Sequence, residues 1–285
     1  MTDDRLARHR EFADLRDPAF VDLAYWFLLR RDPDGEGRKR ALRQLREGTL
    51  SRATLLHELA TSEEFALVRA LDDGIAHAAW ARRAGIRPRE LPAPLPESRL
   101  VEIPWVLSRY RGEPRVLDVG YAFAEPAYLV ALTQLGAEEL VGVDLAEAEV
   151  PGLTSVIGDV RELPFLPGSF DLVLAVSTLE HVGADTTRYG IEGERDPAGI
   201  PRALVEVGRV LTDEGRLLLT LPLGEPGDFG WYVQHDLPEW ERLFRETGFV
   251  VFEHEEYPAL GLLCTELRPR RRFDRLRRAL TARSE

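Results

Sequence analysis

Three short apolar runs, Val116-Leu117-Asp118-Val119-Gly120, Val141-Gly142-Val143-Asp144 and Phe170-Asp171-Leu172-Val173-Leu174-Ala175, constrain this chain more than any other feature. Each is long enough for one strand and too continuously apolar for a half-exposed one, as parallel strands are when helices cover both faces of their sheet. The first two end in a glycine or an acid. An open parallel sheet binds its ligands outside the carboxyl ends of its strands, where the strand order reverses. Asp144, at the end of the second run, is placed to accept hydrogen bonds from both hydroxyls of a ribose. The pattern predicts an α/β fold and a ligand that contains a nucleoside.

The first turn narrows the ligand. A dinucleotide needs G-x-G-x-x-G so that its pyrophosphate can approach the backbone. Here the turn reads Asp118-Val119-Gly120-Tyr121-Ala122-Phe123-Ala124-Glu125, with a single glycine, two aromatic rings and a carboxylate. That is a poor phosphate cradle, and a less anionic nucleoside fits it better.

From about Arg115 to about Arg268 the chain resembles class I S-adenosylmethionine (SAM) methyltransferases of the methyltransferase type 11 kind. Asp118 to Ala124 stands where that family has an acid-x-Gly-x-Gly-x-Gly loop, and Asp144 stands at its ribose-binding acid. Gly158-Asp159-Val160 matches the Gly-Asp pair whose carboxylate meets the adenine amino group. Ser177-Thr178-Leu179-Glu180-His181-Val182 is similar to the segment that runs beneath the methyl group. Arg202 to Leu211, then Glu214-Gly215-Arg216-Leu217-Leu218-Leu219, is similar to the helix, turn and fifth strand that follow. The resemblance implies a Rossmann-like fold, a seven-stranded mostly parallel sheet with an antiparallel last strand, preceded by a small all-α domain. It implies SAM as cofactor, S-adenosyl-L-homocysteine as product, and cofactor contacts at Asp118, Gly120, Tyr121, Ala122, Asp144, Leu145, Asp159, Val160, Ser177 and Thr178. One departure stands out: Ala122 and Ala124 replace the second and third glycine, adding a β-carbon where the cofactor lies close to the backbone.

Before about Arg82 the chain reads as helix throughout. Phe20, Leu23, Ala24, Phe27 and Leu28 recur at helical spacing, and Leu42, Leu45, Leu50, Leu55, Leu56, Leu59 and Phe65 continue it. Ser51 and Thr61-Ser62-Glu63-Glu64 read as helix caps. The run from Tyr25-Trp26-Phe27-Leu28-Leu29-Arg30-Arg31-Asp32-Pro33-Asp34 through Ser62-Glu63-Glu64-Phe65 resembles the small helical DUF4214 module, which implies company with surface-polysaccharide and secretion proteins. Asp32-Pro33-Asp34-Gly35-Glu36-Gly37 begins like a calcium loop, but Arg40 and Arg43 stand where oxygen ligands are required, so a turn with a helix cap is expected and no metal site. The expected boundaries are residues 1–82 for this module, 83–96 for a proline-rich linker, 97–268 for the methyltransferase domain and 269–285 for a basic tail.

A formal net charge of −12 argues against a nucleic-acid substrate, whose phosphates need clustered cations. No apolar run reaches the ~20 residues of a membrane span, and the acidic Met1-Thr2-Asp3-Asp4 is unlike a signal peptide, so a cytoplasmic protein is expected. Cys264, the single cysteine, excludes an intrachain disulfide and reads as a buried inert thiol. Lys39 is the only lysine and asparagine is absent. Thermophily and a GC-rich genome both produce that pattern. The sequence leaves the oligomeric state open.

Methyl transfer from a sulfonium asks the protein to align an acceptor and, for a hydroxyl, to take its proton. His181, just after the fourth strand, is the leading base candidate, and His235 is the second. Two insertions should build the acceptor pocket, one carrying Arg188 and Tyr189, the other Phe229, Trp231 and Tyr232. Aromatic rings on strand-end loops suit a sugar ring or flat aglycone, hence an O-methyltransferase acting on a glycan or other small molecule. Two alternatives stand beside it: a non-catalytic interaction protein with an altered SAM loop, and another SAM- or nucleotide-using enzyme on the same fold. The basic tail, with Phe273, Leu276 and Leu280 on one face, suits contact with an anionic membrane surface, an acidic partner or the acidic body of the protein itself.

Overall fold

The computed structural model describes residues 14–88, 96–190 and 195–271. Most of the expected basic tail and half of the proline-rich linker lie outside them. The chain divides into two compact units, Met1–Asp73 and Gly74–Glu285. Helix α4 (Glu63–Arg83) spans this division, which falls within it and not at its end near Arg82.

The first unit holds α1 (Asp17–Leu29), α2 (Gly35–Glu47), α3 (Arg52–Ala60) and the start of α4. Its core is Phe20, Val21, Ala24, Tyr25 and Leu29 from α1, Ala41 from α2, and Leu55 and Leu59 from α3. Caps fall where the polar residues stand. Asp34 accepts from Glu36 and Gly37 N–H at 3.1 and 2.7 Å, so the loop that begins like a calcium site ends as a helix N-cap. Ser51 accepts from Thr54 N–H at 3.0 Å and Ser62 from Phe65 N–H at 3.1 Å. Arg31, in the Arg-Asp-Pro-Asp turn, donates to Glu64 at 2.5 and 2.8 Å, joining the two ends of the recognised motif.

The second unit is a seven-stranded sheet between helices. Its elements are α5 (Arg99–Ser108), β1 (Arg115–Val119), α6 (Pro126–Thr133), β2 (Glu139–Asp144), β3 (Thr154–Ile157), β4 (Phe170–Val176), α7 (Gly199–Val210) and β5 (Leu211–Pro222). A two-residue ribbon, β6 (Gly227–Asp228) with β7 (Val233–Gln234), then leads to α8 (Leu237–Glu246), β8 (Phe249–Tyr257) and β9 (Leu262–Pro269). The order is β3-β2-β1-β4-β5-β9-β8. β1 to β5 run parallel, and β9 is antiparallel to both β5 and β8. The order reverses between β1 and β4, so the carboxyl ends of β1, β2 and β4 open onto one crevice. Leu117, Val173, Leu217 and Leu219 are fully buried, which is why the strands are apolar without alternation. Asp236 caps α8 by accepting from Glu239 N–H at 2.9 Å. Cys264 is buried in β9, and burial pushes its thiol pKa well up.

A buried charge network closes the antiparallel side. Glu266 of β9 is inaccessible to solvent and lies 3.0 Å from Arg216, 2.7 Å from Arg268 and 2.7 Å from Arg111. Burial raises its carboxyl pKa, but the three guanidinia more than offset that and hold it below the usual carboxylate range. Removing one charge strands the others in low dielectric. Glu266→Gln should cost about 3 kcal/mol or more in urea unfolding at pH 7. A depressed folded pKa means this stabilisation is present above the unfolded value of ~4.3 and lost as pH falls through the folded one, so the gap to wild type should close in acid. A loss under about 1 kcal/mol at pH 7 would show the network to be replaceable.

Candidate active site

Gly120 follows β1 in the left-handed region, at φ 86°, where its N–H donates to Val143 O at 2.9 Å. A β-carbon there would collide with the Thr178 side chain. Thr178 in turn donates to Val119 O at 3.1 Å and Val176 O at 3.0 Å, so the ends of β1, β2 and β4 are tied to each other. Ser177 also takes a left-handed conformation, φ 46°, and a non-glycine residue held there is strained. The turn is fixed by Ser177 N–H on Thr220 Oγ1 at 2.9 Å and Ser177 Oγ on Glu102 Oε2 at 2.5 Å.

Above these strand ends lies a cavity of about 750 Å³. That is in the upper part of the roughly 300–1,000 Å³ range of small-molecule sites. Of the expected cofactor residues, Asp118, Gly120, Asp144, Leu145, Asp159, Val160, Ser177 and Thr178 line it. Tyr121 and Ala122 do not. The Tyr121 ring is fully buried against Gly142 of β2, where the turn Tyr121–Phe123 folds it, and its hydroxyl accepts from Ala148 N–H at 3.3 Å. Ala122 acts through its backbone, donating to Asp144 Oδ2 at 3.0 Å. The glycine-poor loop is thus anchored on the acid that follows β2. Asp159 is likewise engaged: Arg161 donates to its carboxylate at 2.6 and 3.0 Å and reaches Asp196 at 3.1 Å. Burial alone would raise the Asp159 pKa, and Arg161 outweighs it, so the net direction is down.

The acceptor side is aromatic. His181, Arg188, Tyr189, Trp231 and Tyr232 line the cavity, as does Phe123. His181 stacks on Trp231 with ring centroids 5.0 Å apart and an angle of 19°, and Phe123 meets Tyr189 at 5.1 Å. Arg188 lies over the Trp231 ring at 3.9 Å. His181 Nδ1 is 2.7 Å from Trp231 O; since a carbonyl only accepts, Nδ1 carries the proton and Nε2 is left with its lone pair. Burial, with the charge of Arg188, lowers the His181 pKa against the opposing pull of the Trp231 carbonyl. The imidazole is therefore neutral near pH 7.

Two expected residues fall elsewhere. His235 does not line the cavity; its ring packs edge-on against Trp240 at 4.6 Å. Its Nδ1 is 3.0 Å from Glu239 Oε2 without the geometry of a hydrogen bond. The β6–β7 ribbon turns it toward α8, so the second base candidate is withdrawn. Phe229 is half-exposed and stacks on the outer face of Tyr232 at 4.7 Å, bracing the wall without lining it. Sequence reasoning assigned no role to Glu102, Arg99 or Glu180, which line the cavity too. Glu102 carried a signal: it is the lone acid inside the apolar run Leu100-Val101-Glu102-Ile103-Pro104-Trp105-Val106, and a buried acid needs a polar reason.

Residues 117–219 match the family model described as a methyltransferase domain, and residues 6–68 match DUF4214, a domain of unknown function. A protein of Encephalitozoon cuniculi (strain GB-M1) that carries a methyltransferase name is 35% identical over 111 residues, 39% of this chain and 46% of that protein. The chain thus spans a little under half of that relative's length. Among solved structures, the PH0226 protein of Pyrococcus horikoshii OT3 superposes with a TM-score of 0.46 at 17% identity, over 63% of this chain and 93% of that one. The 1,6-didemethyltoxoflavin-N1-methyltransferase of Burkholderia thailandensis, solved with 1,6-didemethyltoxoflavin and S-adenosylhomocysteine, gives 0.44 at 17% identity over 87% and 90%. Two stretches of the chain thus resemble known families, a methyltransferase domain and, before it in the sequence, a DUF4214 module. The sequence resemblance implies SAM as the cofactor of such a domain.

The residues present fit that cofactor. Gly120 keeps the cradle free of a side chain, and acids follow β2 and β3 where a nucleoside's hydroxyls and amino group need acceptors. Asp144→Ala should weaken SAM binding by about 1.5–3 kcal/mol, the range for hydrogen bonds to a charged group, as read by calorimetry. An unchanged affinity would move the ribose away from Asp144.

Proposed function

We propose that this chain transfers a methyl group from SAM to a hydroxyl of a small acceptor, a sugar of a surface polysaccharide or glycosylated metabolite, and that it acts in the cytoplasm. One observation supports the reading: His181, its Nδ1 held by the Trp231 carbonyl so that Nε2 keeps its lone pair, lines the same cavity as an aromatic wall and the acids Asp144 and Asp159. SAM supplies an electrophilic methyl group; the chain supplies the rest. Asp144 and Asp159 hold the nucleoside, Asp159 after exchanging its contact with Arg161. Tyr189, Trp231 and Tyr232 offer flat faces for a ring, and His181 takes the hydroxyl proton. The Trp231 carbonyl holds the imidazole in its tautomer and steadies the imidazolium once formed. The glycan assignment is supported by this aromatic wall and by the DUF4214 neighbour. Among the described residues no helix is long and apolar enough to cross a membrane, and no cluster of His, Cys, Asp and Glu could hold a metal.

His181→Gln should lower turnover roughly 10²–10⁴-fold and leave SAM affinity nearly unchanged. The lowered pKa places the acid limb of kcat/KM below the ~6.5 of a free imidazole. A turnover loss that merely follows a loss of SAM affinity would assign His181 to the cofactor pocket. Activity equal to wild type would leave proximity as the source of rate.

A further inference from the structure

Three carboxyl side chains lining the cavity are withdrawn from solvent: Glu102 and Asp118 at 2% exposure and Glu180 at 5%. Two are satisfied. Asp118 accepts from the Tyr128 hydroxyl at 2.6 Å, and Glu102 accepts from Ser177 and Thr220 at 2.5 and 3.0 Å. Glu180 is different, because its Oε2 is buried with no hydrogen-bond partner. Its own backbone N–H favours the ionised form, but that does not outweigh burial, and Arg99 and Arg188, which line the same cavity, form no ion pair with it. His181 Nε2 is 3.9 Å from Oε1 and belongs to a neutral ring, the Tyr189 phenol is itself disfavoured from ionising by Glu180, and Glu102 on α5 repels it. Burial, with Glu102 adding to it, pushes the Glu180 carboxyl up to about 8. An unpaired buried carboxylate is expensive, so a group like this is neutral until a cation arrives.

The strand order says which part of a ligand arrives. Asp144 and Asp159 follow β2 and β3, at one end of the crevice, and hold a nucleoside there. Glu180 follows β4, and Glu102 meets Ser177 at the end of β4 and Thr220 in β5, at the other end. The non-nucleoside half of SAM carries a sulfonium and an ammonium; its demethylated product keeps only the ammonium. We propose that Glu180, backed by Glu102, gives this cavity its preference for the sulfonium over the thioether, its unpartnered carboxyl oxygen being kept for that cation. This rests on the SAM reading of the site and adds a charge filter to it. When the sulfonium is bound, the Glu180 proton passes to solvent; once the methyl group has left, the carboxylate is again unpaired, takes a proton back and loosens its hold on the product.

The test is calorimetry on the full chain at pH 7.0, wild type and Glu180→Gln, with SAM and with S-adenosylhomocysteine, in two buffers of different ionisation enthalpy. Wild type should release more protons with SAM than with the product, and Glu180→Gln should abolish that excess and lower the SAM-to-product affinity ratio about tenfold. A change in ratio under threefold, equal weakening of both ligands, or no excess proton release by wild type overturns the inference and leaves SAM binding intact. Absence of excess proton release by wild type needs no variant and overturns the inference even if Glu180→Gln fails to fold; there, Glu180→Asp takes its place and should reduce the SAM-to-product ratio in the same direction. Binding of neither ligand by wild type would overturn the SAM reading and this inference with it.

Discussion

The ends of three strands meet at Gly120, and the site depends on that meeting. A left-handed residue with no side chain lets β1 stop against β2 through Val143 O and against the segment after β4 through Thr178. Any larger residue would meet both a disfavoured φ and a steric collision. Once that corner is closed, Asp144, Ser177, Glu180 and His181 face a common space. Asp144 ends β2, whereas Ser177, Glu180 and His181 share the segment after β4, so the site joins two stretches more than 30 residues apart in the sequence. The loop has alanine at positions 122 and 124, where the resemblance leads one to expect glycine. Its compensation is a backbone N–H, from Ala122, fixed on the Asp144 carboxylate.

Desolvation dominates the electrostatics around this corner. Burial, joined by the charge of Asp144 and opposed by the Tyr128 hydroxyl, pushes the Asp118 pKa up to about 7. Glu102 moves in the same direction, again chiefly through burial. His181 moves downward for the same reason. Burial thus biases the Glu102 and Asp118 carboxyls and the His181 imidazole toward their neutral forms, while Asp159, lining the same cavity, is shifted the other way by Arg161. The charge of Arg161 is favoured by Asp159 and Asp196, with which it pairs while lining the same cavity, linking the segment after β3 to the loop before α7.

Much of this was legible in the sequence because buried parallel strands and helix caps are local signals. The runs ending at Gly120, Asp144 and Ala175 became β1, β2 and β4, and Asp34, Ser51 and Asp236 became caps, each bonding an N–H two or three residues on. The acids at β2 and β3 were found because they sit at strand ends, where topology alone assigns a position. His235 was misjudged because its direction depends on a two-residue ribbon that turns it onto Trp240, and no pattern in the sequence encodes that turn. Arg161 was missed because its engagement of Asp159 and Asp196 joins residues 2 and 35 positions apart. Glu180 was quoted within its motif but given no role, since an unpartnered carboxyl oxygen exists only once the surrounding side chains are in place.

The central claim is that the crevice at the ends of β1, β2 and β4 is one continuous site, with the nucleoside at the β2–β3 end and the reacting atoms at the β4–β5 end. A crystal structure with S-adenosylhomocysteine tests it most directly. The account predicts the ribose on Asp144, the Arg161 side chain moved off Asp159, and the sulfur on the side of Ser177, Glu180 and His181. Ligand density outside this crevice, or in the reverse orientation with the adenine beside His181, would contradict it.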